Sequence, residues 1–499
     1  MVRVKERWGK FVEWAKPFVK PVGILWAGIM LGMLAILRAN FSYMDDLART
    51  VEGYKGWGNF SRYLSNFLAM VVNGNTTVTD ISPWPQILAA LIMAVAGVML
   101  LYIIYGRKRF RWWELMTVAI LALNPYFLEC LSYKFDAPYI AVSVLAMVLP
   151  MLAMRKETKW YILAVMSGTL VTCMTYQASL GILPMLVILV AMERWSQGEN
   201  GKEVWGLVWK AVVGYGLGLV IFRVFLMRQV DAYVTTSLPA IGELLPTVLR
   251  NLREYYELIG QDLTKIWILL MAVLGLGFIG ISVMRSERKK YLAGIVAVLG
   301  VGLMGAGCFG IYPLMEQPLY EPRAMFGVMV MVAMLGVVVV KEGKWQKKWQ
   351  KVGWGSLVVV VVALSYEFGI FGLTYGNALA LQGEYTDFRI QETIGALEDV
   401  MQENETEEDV TVKVAGTIGL APALEGVAAR YPILERLVPV EFESGYWGEY
   451  KLFRYYGLRR LQGDPYEIPK VEDYEVVKEG RYQNIRRKDK EFLIELKKV

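Results

Sequence analysis

The sequence predicts a polytopic α-helical membrane protein, with about eleven transmembrane helices and a C-terminal extracytoplasmic α/β domain. Hydrophobic residues make up 55% of the 499-residue chain. Apolar stretches of about 17 residues, long enough to cross a hydrocarbon core of about 30 Å, recur through its first three quarters. Charge also changes sign along the chain. Residues 381–499 carry 17 basic and 24 acidic side chains, so the whole-chain charge of +6 leaves +13 for residues 1–380.

The apolar stretches predict the membrane spans, and the loops between them predict the orientation. We place spans near residues 22–38, 84–105, 113–125, 138–154, 160–176, 180–193, 204–226, 264–284, 291–309, 324–340 and 353–373. One alternating set of loops is rich in Lys and Arg: residues 1–21, 107–111, 155–156, 194–202, 285–290 and 341–351. The positive-inside rule places this set, with the N-terminus, in the cytoplasm. The other loops and the C-terminal domain are then extracytoplasmic.

Three regions follow from this topology. Residues 1–21 are predicted to form a cytoplasmic amphipathic segment. Residues 22–375 form the transmembrane domain, whose first outer loop spans residues 39–83, and residues 376–499 form the extracytoplasmic α/β domain.

The α/β prediction for the C-terminal region rests on three stretches of sequence. Residues 386–402 have helical periodicity, and residues 411–415 alternate between apolar and polar side chains as a strand does. Residues 484–499 have the pattern of a β-hairpin that turns at residues 488–490.

The residue types present exclude several kinds of active site. The chain has no histidine, so a Ser–His–Asp triad is excluded and acid–base chemistry falls to Asp, Glu, Lys or Tyr. Its three cysteines show no CxxC spacing, and neither a disulfide framework nor a zinc site is predicted. The basic residues concentrate in short loops between apolar stretches, which is typical of membrane proteins and does not predict nucleic-acid binding.

The first outer loop contains two adjacent carboxylates, Asp45 and Asp46, just beyond the first predicted span. Crowding or burying two like charges raises the pKa of at least one of them. Such a carboxylate could activate a hydroxyl group, and the pair could also bind a divalent metal ion. The alternative is a pair of solvated acids at a helix end, where they stabilise the helix dipole. The sequence leaves open whether a metal takes part.

Motifs in several loops resemble those of the bacterial glucosyltransferase family named after the type II serotype-converting Gtr enzymes. They lie at residues 43–49, 54–57, 80–86, 124–129, 131–136, 176–179, 375–378 and 453–458. Such proteins look like GT-C class membrane glycosyltransferases, which place an acidic motif in the first outer loop. The resemblance implies an enzyme of the bacterial inner membrane. It would transfer a hexose, with glucose expected, from a polyprenyl-phosphate donor to an extracytoplasmic polysaccharide such as O-antigen or a wall polymer.

The resemblance suggests roles for charged residues in the outer loops. We expect Asp45 or Asp46 to act as general base, with Asp45 preferred and Asp46 orienting the acceptor or the first carboxylate. The leaving phosphate needs a cation, and Arg323, Lys134 and Arg228 are the candidates. Each has a simpler interpretation as the ion-pair partner of a nearby acid. That acid is Asp136 or Glu129 for Lys134, Asp231 for Arg228 and Glu321 for Arg323. The other alternative for Arg323 is a side chain at the interface with lipid.

Further residues are candidates for contact with the substrate. Tyr43 and Arg49 belong to the acidic motif, and Asp136, Gln177 and Trp57 lie in or beside the motifs of the outer loops. For Asp136 the alternative is a helix N-cap. For Gln177 it is a helix-packing polar residue, and for Trp57 a residue of the interfacial aromatic belt.

Two other functions compete with the transferase. A transporter or flippase of polyprenyl-linked sugars would place charged residues near the bilayer midplane, whereas the predicted spans are almost free of them. A cell-envelope scaffold would leave the first outer loop unexplained. The sequence therefore favours the enzyme, with a lipid-linked donor, a polysaccharide acceptor and membrane lipid as its partners.

Overall fold

The structure is a computed structural model that describes residues 2–228, 237–343, 345, 347–401, 411–445, 448, 451–457 and 469–498. It is mostly helical, and a small sheet lies in the C-terminal part. The helices of the N-terminal half are α1 (Val2–Gly32), α2 (Leu34–Ala39), α3 (Asp45–Glu52), α4 (Tyr63–Asn73), α5 (Trp84–Tyr105), α6 (Trp112–Ala119), α7 (Pro125–Ser132), α8 (Ala137–Val148), α9 (Thr158–Cys173), α10 (Ile182–Ser196) and α11 (Gly201–Ile221).

The remaining helices are α12 (Leu244–Asp262), α13 (Lys265–Arg285), α14 (Lys290–Gly307), α15 (Pro322–Met325), α16 (Gly327–Val340), α17 (Lys348–Glu398), α18 (Glu425–Arg430) and α19 (Leu434–Leu437). The strands are β1 (Thr411–Ala415), β2 (Glu475–Lys478), β3 (Gln483–Lys488) and β4 (Glu491–Leu496).

Seven helices of the described part of the chain are long and apolar enough to cross a membrane. They are Trp84–Tyr105, Gln177–Ser196, Gly201–Leu226, Lys265–Arg285, Lys290–Gly307, Pro322–Val340 and Lys348–Glu398. Each corresponds to a span predicted from the sequence. The Pro322–Val340 segment is the most buried of the seven, because other helices surround it.

The other four predicted spans coincide with shorter helical pieces. The span predicted at 113–125 is interrupted after α6, because Pro125 starts the new helix α7. The side chain of Asn124 caps α7 by accepting a hydrogen bond from the N–H of Phe127 at 2.9 Å. The span at 138–154 forms an apolar helix over Ala137–Ala153, and that at 160–176 forms α9. The segment at 22–38 forms the end of α1 together with α2. A total of eleven spans therefore stays a prediction.

The C-terminal sheet has the order β1-β4-β3-β2, with β1 parallel to β4 and the other pairs antiparallel. The predicted strand at 411–415 is confirmed. So is the hairpin, in which Lys488 pairs with Glu491 around the turn. Buried apolar side chains of β1 and β4 pack on the end of α17, which forms the predicted helix up to Glu398. That 51-residue helix thus continues without a break from the membrane part into this domain.

Two polar contacts fasten the C-terminal domain to the loops of the membrane part. The Tyr43 hydroxyl donates to the carbonyl of Leu437 at 2.9 Å. The Arg436 guanidinium donates to the Asp262 carboxylate, which also accepts from the Tyr126 hydroxyl at 3.0 Å. The domain therefore lies directly against the loop that carries the acidic pair.

Candidate active site

The two adjacent aspartates begin α3 and have different surroundings. The preceding residue, Met44, has a φ of 49°, a value that non-glycine residues rarely adopt. This turn starts the helix at Asp45, and successive helix positions point about 100° apart. As a result Asp46 is fully buried, whereas the Asp45 side chain is 44% exposed. Only Asp45 is therefore open to a reactant.

The Asp46 side chain joins the first outer loop to the second predicted outer loop, residues 126–137, by accepting hydrogen bonds from backbone N–H groups. Its Oδ2 accepts from the N–H of Tyr43 at 3.2 Å and of Lys134 at 2.8 Å, and its Oδ1 accepts from the N–H of Phe135 at 3.4 Å. Burial raises the pKa of Asp46 to about 8, against the lowering effects of Arg49 and of the Lys134 N–H. Its contacts are those of a structural residue.

The raised pKa of Asp46 predicts that the protein becomes less stable as pH rises from about 4 to about 8. In that interval Asp46 keeps its proton in the folded protein but loses it in the unfolded chain. The contribution of this proton to stability is therefore fully present below pH 4 and is lost as the pH rises through about 8. We expect the melting temperature of the wild type to fall across this interval. Asp46→Asn should have a shallower slope, because the titrating group is gone; equal slopes would contradict the assignment.

Arg49 is buried and holds several motif residues together. Its guanidinium pairs with the Asp136 carboxylate, lies 3.5 Å from Asp45 Oδ2 and stacks over the Trp57 ring at 4.4 Å from the centroid. Trp57 Nε1 donates to the other Asp136 oxygen. Asp136 precedes α8 but its carboxylate makes no capping hydrogen bond, so the N-cap alternative is not realised. These three buried side chains form a rigid base beneath Asp45.

The three candidate cations for phosphate have different surroundings. Lys134 is buried, and its Nζ donates to Asp80 at 3.0 Å, not to Asp136 or Glu129. Arg323 is partly exposed and pairs with the buried Glu129 at 2.9 Å, with Glu321 at 4.0 Å. Arg228 is exposed, and its backbone exchanges two hydrogen bonds with the Ser61 hydroxyl at 2.8 Å. Of the three, Arg323 and Arg228 are accessible.

Tyr133 links the exposed aspartate to Arg323. Its ring lies 5.8 Å from the Arg323 guanidinium and 4.7 Å from the buried Tyr43 ring, and it interacts electrostatically with Asp45. Tyr43 is buried and its hydroxyl is hydrogen-bonded to Leu437, so it supports the Tyr133 ring and does not face a reactant. Tyr133 therefore contacts Arg323 and lies within electrostatic range of Asp45.

An apolar cavity of about 320 Å³ has Arg62, Gln177 and Arg223 among the polar side chains on its wall. Arg62 Nε donates a hydrogen bond to Gln177 Oε1 at 3.1 Å. Gln177 also donates to the carbonyls of Cys173 and Phe60, which fixes its amide. Arg62 stacks over Tyr176, 4.9 Å from the centroid, and the Tyr176 hydroxyl donates to the Arg323 carbonyl at 3.1 Å. Tyr176 thus connects Arg62, on the cavity wall, to the backbone of Arg323.

Arg62 is a residue that the sequence analysis did not select. It is a cation in a predicted outer loop, the criterion that selected Lys134, Arg228 and Arg323, so the signal was present in the sequence. Within the described ranges, no group of three or more Cys, Asp or Glu residues could hold a metal ion. The carboxylate of Asp45 has a cation, Arg49, as its nearest charged neighbour.

The C-terminal domain also supports the acidic motif. The Glu441 carboxylate is buried, pairs with Lys451 and faces the backbone N–H of Met44. The Lys451 ammonium lies 5.9 Å from the centroid of the Phe41 ring. These contacts hold the unusual backbone turn before Asp45 from the side of the C-terminal domain.

Comparison with known proteins agrees with the motifs. The model of the family described as Glucosyl transferase GtrII matches residues 34–340, which include both outer loops and Arg323. A protein of Salmonella phage P22, described as an uncharacterized 55.3 kDa protein in the gtrB 5′ region, is 22% identical over 410 residues, or 80% of this chain and 82% of the phage protein. No solved structure matches. The chain therefore belongs to the GtrII glucosyltransferase family.

Proposed function

We propose that the protein transfers glucose from a polyprenyl-phosphate donor to a cell-surface polysaccharide on the extracytoplasmic side of the bacterial inner membrane. The observation that carries this proposal is the apolar cavity with Arg62 on its wall, which Tyr176 connects to Arg323. An apolar wall suits a prenyl chain, and a guanidinium suits its phosphate.

The donor phosphate would be bound between Arg62 and Arg323. Both guanidinium groups interact electrostatically with Tyr176 and Tyr312, so one anion could lie near both. Arg323 stays oriented by Glu129, and Arg62 by Gln177. We assign Gln177 the role of holding Arg62 in place. Arg228, whose backbone is hydrogen-bonded to the neighbouring Ser61, would help to attract the anion.

The reaction would be a displacement at the anomeric carbon of the sugar. An acceptor hydroxyl forms the new C–O bond while the bond to the lipid phosphate breaks, and Asp45 takes the hydroxyl proton. The negative charge on the departing phosphate is stabilised by Arg62 and Arg323. Arg49 orients Asp45 through their 3.5 Å contact, with Asp136 and Trp57 fixing Arg49.

The proposal is tested with purified protein in nanodiscs. Polyprenyl-phosphate [14C]glucose and a polysaccharide extract from the source organism are supplied, and UDP-[14C]glucose serves as the alternative donor. We expect label to leave the lipid for the polysaccharide and none to come from UDP-glucose. Transfer from UDP-glucose alone would overturn the donor assignment. Movement of labelled lipid across sealed vesicles without transfer would favour a flippase.

Arg62→Ala is expected to raise the KM for the lipid donor about 10- to 100-fold, since a charge-assisted hydrogen bond contributes about 1.5–3 kcal/mol. Arg253→Ala is the matched control, because that arginine on α12 is highly exposed and its ion-pair partner is its helix neighbour Glu257. Initial rates at several donor concentrations measure both. An unchanged KM in the folded Arg62→Ala variant would place the phosphate elsewhere.

A further inference from the structure

A second cavity, of about 540 Å³, lies where the C-terminal domain meets the membrane helices. Its wall combines the first turn of α13, the middle of α17 and residues 429–432, at the end of α18 and just after it. The Trp267 ring packs on Tyr431 at 5.5 Å and on Phe368 at 5.3 Å, which joins all three elements around the cavity. None of the residues assigned to glucosyl transfer lines it.

One side of this cavity presents hydrogen-bond donors and positive charge. The Trp267 indole is fully buried, yet its Nε1–H has no hydrogen-bond partner among the described residues. Lys265 and Arg430 also line the cavity. The first turn of the 21-residue helix α13, whose Trp267 N–H is capped by the Thr264 hydroxyl, adds the positive end of the helix dipole. A buried donor without a partner is costly, so this arrangement indicates that an anion binds here.

The cavity is also lined by one negatively charged side chain, the carboxylate of Glu367. It lies within the apolar stretch of α17, where an ionisable side chain is costly and usually has a role in function. Within the described residues neither Lys265 nor Arg430 forms an ion pair with it. Glu367 is therefore available to a cationic group of the same ligand.

The protein surface next to the cavity is apolar. Ile266 and Leu269 of α13 are 51% and 57% exposed, and Tyr366 of α17 is 60% exposed. These side chains belong to two helices that are apolar enough to cross the membrane, so they face acyl chains. A ligand in the cavity can therefore extend apolar chains along the protein.

We propose that the cavity binds the headgroup of an aminophospholipid from the leaflet that borders the C-terminal domain. The phosphate is held by Lys265, Arg430 and Trp267 Nε1–H, and the ammonium group is held by Glu367. The bound lipid fastens α13, α17 and the C-terminal domain together. This site is independent of the proposed transfer reaction, and its test does not use activity.

Native mass spectrometry of the full-length protein, released from detergent micelles, tests the site. Phosphatidylethanolamine, phosphatidylcholine, phosphatidylglycerol and inorganic phosphate are each titrated. We expect phosphatidylethanolamine to bind about 10-fold more tightly than phosphatidylglycerol, which lacks the ammonium group, as the loss of one charge-assisted hydrogen bond predicts. Phosphatidylcholine, whose nitrogen carries no N–H, should lie between them.

The variants separate the two halves of the headgroup. Glu367→Gln should remove the preference for phosphatidylethanolamine over phosphatidylglycerol, and Lys265→Ala with Arg430→Ala should weaken both lipids about 10-fold. Trp267→Phe keeps the ring and deletes only the N–H donor, so it tests the site where the charge variants fold poorly. Arg253→Ala with Lys470→Ala, two exposed cations outside the cavity, is the matched control.

Two results would overturn the proposal. One is equal binding of the three lipids by the wild type, with no effect of Glu367→Gln or Trp267→Phe. The other is binding of inorganic phosphate as tight as that of any lipid, which would make the site one for a soluble anion.

Discussion

Asp45→Asn is expected to lower kcat for glucosyl transfer by about 10²- to 10⁴-fold, the usual contribution of a positioned general base. Asparagine keeps the size of the side chain but does not take a proton from the acceptor hydroxyl. The KM for the lipid donor should change little, because the donor phosphate is assigned to Arg62 and Arg323. Initial rates with labelled polyprenyl-phosphate glucose measure both constants.

Two further variants make the Asp45 result specific. Glu52→Gln removes an acid from the other end of α3 and should leave kcat near the wild-type value. Asp45→Glu keeps the carboxylate but moves it by one methylene group, so it should retain more activity than Asp45→Asn. If Asp45→Asn keeps at least half of the wild-type kcat while its melting temperature is unchanged, the base is another residue.

The sequence predicted a pair of carboxylates and preferred Asp45 as the base, but it did not show which of the two is buried. Adjacent helix positions always point apart, so one member of an Asp-Asp pair is expected to be more exposed than the other. Which one is buried depends on what packs against α3. Here the second outer loop brings the backbone N–H groups of Lys134 and Phe135 onto Asp46, from 88 residues away in sequence.

Ion-pair partners were the least predictable part of the site. The sequence analysis proposed near neighbours, such as Glu321 for Arg323, because closeness in sequence is the only guide there. In the structure Arg323 pairs most closely with Glu129, 194 residues away, and Lys134 pairs with Asp80, 54 residues away. These contacts depend on how the loops pack together, which cannot be predicted from the residues close to each charge in the sequence.

Hydropathy located the long helices well and the short ones less well. The predicted span at 84–105 coincides with α5, because its apolar run is uninterrupted. Most residues between 113 and 125 are also apolar, but Asn124-Pro125 starts a new helix. A hydropathy window averages over such a break, so it predicts one span where the backbone forms two separate helices.

Breaking the buried contact between Arg49 and Asp136 is expected to be the most destabilising single change in the first outer loop. Either Arg49→Gln or Asp136→Asn should lower the free energy of unfolding by about 3–5 kcal/mol, because each leaves a buried charge without its main partner. Equilibrium unfolding in detergent micelles, followed by tryptophan fluorescence, measures the loss. The loss should also reduce kcat, since Arg49 orients Asp45.

The double variant distinguishes a true pair from two independent residues. With both charges removed no uncompensated charge stays buried, so Arg49→Gln with Asp136→Asn should lose much less stability than the sum of the single losses. Arg253 and Glu257 form the matched control pair: their charged atoms are 2.6 Å apart, but the arginine is highly exposed, so solvent screens the contact and no coupling is expected. Additive losses at Arg49 and Asp136 would show that Trp57 and Asp45 stabilise each charge separately. Asp45 would then depend on the whole cluster for its orientation, and not on one ion pair beneath it.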